Sequence, residues 1–270
     1  MKLLVAGATE VDAGKTTFSM GLVDRLGVPG FKPRAGNDYW FDHDDYLRAV
    51  GAGRLFGKDA RRLAVASPGD VTPESINPVH RLWLPTPGSG TGLLGREGRD
   101  FLVDRVTVDG THQFVDNGTV DLPPMVRERL PLDRAITVDS RSAFDEVMSD
   151  RHVRALSASA DDISGREDAV VESYADIARP LQSFVPEAVA VVEPRRCRIY
   201  DGERYAKSCE VSGSSAHEGR LEKRVDRVLE LLEPTDRVAL PALAKRERDD
   251  PAIVADAYED AYDALLAVGG

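Results

Sequence analysis

The chain has 270 residues, 35 Lys and Arg against 46 Asp and Glu, a formal net charge of −11 and 42% hydrophobic residues. That is enough chain for one large α/β domain or two small ones. The acidity disfavours a nucleic-acid partner, and no apolar run approaches the roughly 18 residues that a membrane span needs. Met1 leads straight into an apolar run, and the two cysteines, Cys197 and Cys209, lack metal-like spacing, so a reducing, cytoplasmic location is expected.

Residues 2–6 read as a buried parallel strand. A turn-forming segment follows, then Gly14, Lys15, Thr16 and Thr17. A helix is expected over about residues 15–26, with Phe18, Leu22, Val23 and Leu26 at helical spacing and Gly27 as its stop. Strand, loop and helix in that order are the layout of a phosphate-binding loop. Successive backbone N–H groups and the helix N-terminus of such a loop face the phosphates. The candidate nucleotide-binding set is therefore Glu10, Val11, Asp12, Ala13, Gly14, Lys15, Thr16 and Thr17. Gly14 permits close backbone approach because it has no Cβ. Lys15 suits the β- and γ-phosphates, and the Thr16 hydroxyl suits Mg²⁺. The usual spacing, G-x-x-x-x-G-K-[ST], would put the first glycine at Thr9; the glycine present is Gly7, so the loop is two residues longer on that count. A chance GKTT at a surface helix start is the alternative.

GVPGFKP reads as a short second strand ending near Lys32. RAGNDYWFDHDDYLRAV reads as a polar loop passing into a helix through Tyr46, Leu47 and Val50, which Asp44 or Asp45 could cap. Residues 51–66 read as broken helix, and residues 67–100 carry little periodicity apart from an extended piece at 75–85. Over 101–120, alternation around Asp109-Gly110 and before Asn117-Gly118 signals hairpins whose turns need positive φ. This is taken as an antiparallel insertion at about 85–122.

A short helix is expected at PPMVRERLP, a strand over 135–138 and helix over 140–160. DAVVESY, 168–174, and AVAVVEP, 188–194, read as central strands, the first ending in a carboxylate. A second hairpin is expected around Asp201-Gly202. An amphipathic helix follows over 219–233, with Leu221, Val225, Val228, Leu229 and Leu232 on one face, then a late strand over 237–243 and a C-terminal helix over 251–268. Strands alternating with helices imply an α/β fold with a doubly wound, mostly parallel sheet, in one domain spanning 1–270. His43, His80, His112, His152 and His217 lack zinc spacing and read as structural or exposed. Trp40 and Trp83 read as core or lid anchors.

GATEVDAGKTT, FKPRAG, DHDDYL, SINP and VVESY together resemble the dethiobiotin synthetase-like branch of P-loop proteins, with RVALPAL in the place of that family's G-x-I-P strand. The resemblance runs over most of the chain as short islands, of which only the phosphate loop is individually specific. It implies a P-loop NTPase fold with ATP and Mg²⁺ as cofactors. It also implies that Lys15 and Thr16 contact triphosphate and metal, that Lys32 reaches toward the phosphates, and that Asp44 or Asp45 with Glu172 completes the metal shell. Lys15, Lys32 and Glu172 would then form the catalytic set, and Thr16, Asp44, Asp45 and Glu172 the metal set. Two departures bear on the substrate. The family's glycine-rich segment after V-E is here Ser173-Tyr174-Ala175-Asp176, which puts the family's diamine substrate in doubt, and the loop carries Asp12 as an insertion. Ser173 and Tyr174 are candidates to line a substrate pocket.

The leading functional expectation is a Mg²⁺-dependent, ATP-hydrolysing enzyme that transfers a phosphoryl group to, or ligates, an unidentified small molecule. The alternative is a nucleotide-switch or assembly ATPase of the partition type. In that class a signature lysine precedes the loop lysine by five residues, where this chain has Glu10. VDAGKTT also resembles the translation-factor GTPase loop, but an N-K-x-D segment for guanine is absent. No membrane partner is expected, and whether the chain forms a homodimer, as related folds often do, is left open.

Overall fold

A computed structural model of the chain describes residues 1–9, 13–86, 88, 90–212 and 222–270. The strands in chain order are β1 (Lys2–Gly7), β2 (Gly30–Phe31), β3 (Arg34–Asp38), β4 (Val79–Pro85), β5 (Arg99–Val108), β6 (Thr111–Asn117), β7 (Ile136–Val138), β8 (Ala169–Glu172), β9 (Ala188–Glu193), β10 (Arg196–Asp201) and β11 (Asp236–Ala239). They form two mixed sheets among helices, which is an α/β architecture. The chain divides into two compact units. The first comprises Met1–Pro33, Arg62–Val71 and Ala160–Gly270, and the second Arg34–Arg61 and Thr72–Ser159. The sequence reading placed a single domain with an insertion at 85–122; the hairpin found there is the middle of the second unit's own sheet.

In the first unit the strand order is β11-β10-β9-β1-β8-β2. β9, β1, β8 and β2 run parallel, with Leu3 in register with both Val170 and Ala188. LLVA, AVV and AVAVV are buried along their lengths, the continuous apolar pattern of strands covered on both faces. Helix α1 (Lys15–Leu26) follows β1, and the Tyr262 hydroxyl donates to the Phe18 carbonyl at 2.9 Å. The expected hairpin at Asp201-Gly202 is absent. The reversal falls at Pro194-Arg195, with Arg195 at φ 73, and β10 returns antiparallel to β9. Asp201 instead caps a helix over Gly202–Val211, its carboxylate accepting from the Arg204 N–H at 2.8 Å. Asp-Gly serves either role, because a carboxylate that favours turns also satisfies orphan helix donors. Of the expected helix over 219–233 the described residues contain Val225–Leu229, with Val225 and Val228 buried; Leu221 lies outside the described residues. The C-terminal helix breaks at Tyr258 into Pro251–Ala257 and Glu259–Gly269.

The second unit is a sheet of order β3-β4-β5-β6-β7, in which β3 with β4 and β6 with β7 are parallel and β4-β5-β6 antiparallel. The β5–β6 turn has both Asp109 (φ 49) and Gly110 (φ 74) left-handed, as its sequence requires. Asn117-Gly118 is not a second hairpin. The Asn117 side-chain oxygen accepts from the Thr119 backbone, and the chain goes on to the parallel strand β7. Residues 34–38, read as loop, form edge strand β3 despite their polar composition.

Beneath this sheet Asp104 is fully buried. Arg81 donates to both its oxygens at 2.6 Å, and His152 Nε2 donates to Oδ2 at 2.9 Å. The Arg81 guanidinium lies 5.1 Å from the ring centroids of both Trp83 and Phe144. Burial alone raises the Asp104 carboxyl, but the Arg81 charge and the hydrogen bonds from Arg81 and His152 outweigh it and hold the group well below the usual carboxylate range. Trp83 packs beside Phe101 and Phe144, whereas Trp40 is 70% exposed and anchors no core.

A carboxyl that titrates lower in the folded than in the unfolded chain stabilises the fold above its ordinary value of 3.8, and the contribution disappears as pH falls toward the folded value. Urea unfolding should therefore show Asp104→Asn less stable than wild type by about 3–5 kcal/mol at neutral pH. The wild-type advantage should shrink as pH drops below about 4.

Candidate active site

β1 delivers the chain to Gly7, and Ala8 N–H bonds the Val192 carbonyl at the end of β9 at 3.2 Å. Gly14 is left-handed, at φ 87 and ψ 9, and α1 starts at the next residue. Among the described residues no side chain hydrogen-bonds the cap of that helix, and its first turn contains no acidic residue. Lys15, Thr16 and Thr17 are nonetheless buried, as is Ala13. Lys15 folds back over Gly7, where a Cβ would stand 2.8 Å from the lysine Cδ and Nζ. This close approach explains why the last residue of β1 is glycine.

Four predicted residues come together here. Glu172 closes β8 and is fully buried. The Thr16 hydroxyl donates to Glu172 Oε1 at 2.8 Å, and the Lys32 ammonium, buried just beyond β2, pairs with the same oxygen. Oε2 is also buried and has no hydrogen-bond partner among the described residues. Lys15 Nζ donates to the carbonyl of Ala175. Ala175 has φ 44, a left-handed conformation that costs a non-glycine residue about 1–2 kcal/mol. β1, β2 and β8 run parallel, so their C-terminal ends place the loop, Lys32 and Glu172 at one edge of the sheet, where ligands sit in open α/β sheets.

A buried carboxylate oxygen without a donor is unfavourable, and such an orphan requires an account. Glu172 Oε2 and the Thr16 hydroxyl are hard oxygen donors. Together they suit Mg²⁺, which takes one or two protein oxygens and completes its shell with phosphate oxygens and water. Among the described residues no cluster of three or more His, Cys, Asp or Glu could hold a metal ion.

The other predicted residues are placed differently. Asp44 and Asp45 belong to the second unit, in the first turn of α2 (His43–Val50). Asp45 pairs with Arg48 at 2.5 Å. Neither caps the helix: the cap position is Asp42, whose carboxylate accepts from the Asp38 N–H at 2.8 Å. Glu10, Val11 and Asp12 lie outside the described residues. Ser173 is buried and its hydroxyl donates to the Ile177 carbonyl, so it braces the segment after β8. The sequence reading missed Ala175. A backbone carbonyl carries no residue-type signal, and an alanine gives no indication of left-handed backbone.

No family model, no curated protein and no solved structure matches this chain.

Lys32 pairs with the fully buried Glu172 carboxylate, and removing it strands that charge. In the nucleotide-free protein Lys32→Met should cost about 3–5 kcal/mol in chemical denaturation. Adding Glu172→Gln in the same chain should restore more than half of the loss.

Proposed function

We propose that this chain is a P-loop NTPase that binds ATP with Mg²⁺ at the β1–α1 loop and acts on a small carboxylate- or amine-bearing substrate in the cytoplasm. One observation carries the reading. The loop threonine and the cation following β2 converge on a single buried carboxylate that keeps one oxygen unpartnered among the described residues. Bound ATP supplies the transferable phosphoryl group, and its Mg²⁺ neutralises the charge that develops there. The chain's own residues do the rest by positioning and electrostatics. Lys15 supplies a cation at the start of α1, aided by the helix N-terminus. Glu172 and Thr16 offer the oxygens that hold the metal. Lys32 pairs with the Glu172 carboxylate in the protein without ligand.

A second reading, the nucleotide switch, is favoured by the segment behind Glu172. The carbonyl that Lys15 holds belongs to Ala175. The next residue, Asp176, accepts from the Val225 N–H at 2.8 Å and pairs with Arg224 at 3.0 Å, while Ala178 N–H bonds Lys223 at 2.8 Å. Drawing Lys15 toward a phosphate releases one end of this chain of contacts. Turnover stimulated by a pool of small carboxylates or amines supports the enzyme; slow turnover indifferent to every pool supports the switch.

Calorimetry should show Mg·ATP affinity falling at least about 100-fold in Lys15→Ala with the fold unchanged. Glu172→Gln should lower Mg²⁺-dependent hydrolysis by about two orders of magnitude. Unaltered affinity in the first variant rejects the loop assignment, and unaltered turnover in the second makes Glu172 structural.

A further inference from the structure

The second unit contains a cavity of about 450 Å³, open to solvent on one side, whose walls include Arg54, Glu74, Arg105, His112, Phe114 and Arg134. Its volume falls in the range of small-molecule sites. Its charge is uneven: three arginines face Glu74 and one further carboxylate, Asp133.

Arg105 is fully buried on β5 and makes no ion pair with a carboxylate among the described residues. Its guanidinium is held by oxygens: Nε donates to the Leu55 carbonyl at 2.7 Å, Nη2 to the Asn77 carbonyl at 2.6 Å and Nη1 to the Thr107 hydroxyl. The nearest carboxylate, Glu74, is already engaged, because Arg54 grips both its oxygens through Nε, at 2.7 Å, and Nη2. A buried guanidinium without its own counter-ion is costly, and an anion supplied from outside relieves it.

The polar edge of the cavity is pre-set. The Thr107 hydroxyl accepts from Arg105 and lies 2.9 Å from His112 Nδ1, which anchors the ring. In the tautomer where Thr107 donates to Nδ1, His112 Nε2 carries the ring proton. Partial burial and the Arg105 charge lower the His112 pKa, which keeps the ring neutral at pH 7. Arg54 spends two of its five N–H groups on Glu74, which fixes its plane and leaves three for another acceptor. Opposite this edge Leu55 and Phe114 are buried apolar wall.

We propose that this cavity binds a small organic monocarboxylate, with its carboxylate on Arg54 and the His112 Nε2–H and its apolar body against Leu55 and Phe114. The site lies within the second unit and does not rest on the nucleotide reading.

The test is a titration of the full chain with hexanoate and benzoate, followed by calorimetry and by the His112 ring resonances. The neutral amides of both acids and the dianion succinate serve as controls. Saturable binding of a monocarboxylate that moves the His112 signals, with the matching amide and succinate at least about tenfold weaker, is expected. His112→Ala and Arg134→Glu change exposed side chains. Each should weaken binding about tenfold with the thermal midpoint unchanged. Absence of a saturable His112 shift at roughly twenty millimolar probe, equal binding of the amides or of succinate, or variants that bind like wild type would each overturn the proposal.

Discussion

Glu172 ends a buried strand with a fully buried carboxylate, and two other pieces of chain converge on it. Thr16, on the first turn of α1, and Lys32, just after β2, both turn to the same carboxylate oxygen. Each residue is where it is because its strand ends there, and the strands end together because they are parallel and in register about β1. Replacing the trio with apolar side chains of equal volume is the simpler way to fill such a space. A buried ion pair with Oε2 unpartnered among the described residues is the arrangement on which the proposed site rests. Ala175 fits the same pattern: left-handed backbone is held at the one residue whose carbonyl occupies the loop lysine.

The second unit uses buried charge differently. Asp104 is satisfied on both oxygens by Arg81 and by His152, and aromatic faces close over the guanidinium. That network ties β4, β5 and the helical stretch around His152 into one packed layer. Arg105, the next residue on β5, is satisfied only by neutral oxygens. Two neighbouring charged positions on one strand thus have opposite electrostatic status: one is neutralised by its partners, the other keeps a net positive charge next to a cavity.

Much of the first unit was legible in the sequence because its signals are physical ones. LLVA, AVV and AVAVV are uninterrupted apolar runs, which only strands covered on both faces require, and GKTT directly after the first of them fixed the loop and helix. Lys15 and Thr16 could be named because they open a helix after a turn-forming segment, and Lys32 and Glu172 because each sits at a strand end, where a polar residue next to an apolar run stands out. The second unit was largely hidden. β3, RAGND, is an edge strand whose polar residues carry no alternation, so it read as loop. Asp201-Gly202 and Asn117-Gly118 carry turn chemistry that serves a helix cap or an Asn turn as well as a hairpin. Asp44 and Asp45 are expected at the metal by resemblance alone; in the fold they are first-turn residues of α2, and the local sequence does not distinguish a helix-start carboxylate from a metal ligand. The Arg54–Glu74 and Arg105–Thr107–His112 contacts link residues 20 and 2 to 5 positions apart across loops and strands, and no periodicity marks them.

The most direct measurement is a crystal structure with Mg²⁺ and a non-hydrolysable ATP analogue. The account predicts phosphates against the start of α1, the metal on Thr16 and Glu172, and the Lys15 ammonium moved from the Ala175 carbonyl onto a phosphate oxygen. A structure grown at saturating analogue in which Lys15 still holds Ala175, and Glu172 meets only Thr16 and Lys32, would contradict it.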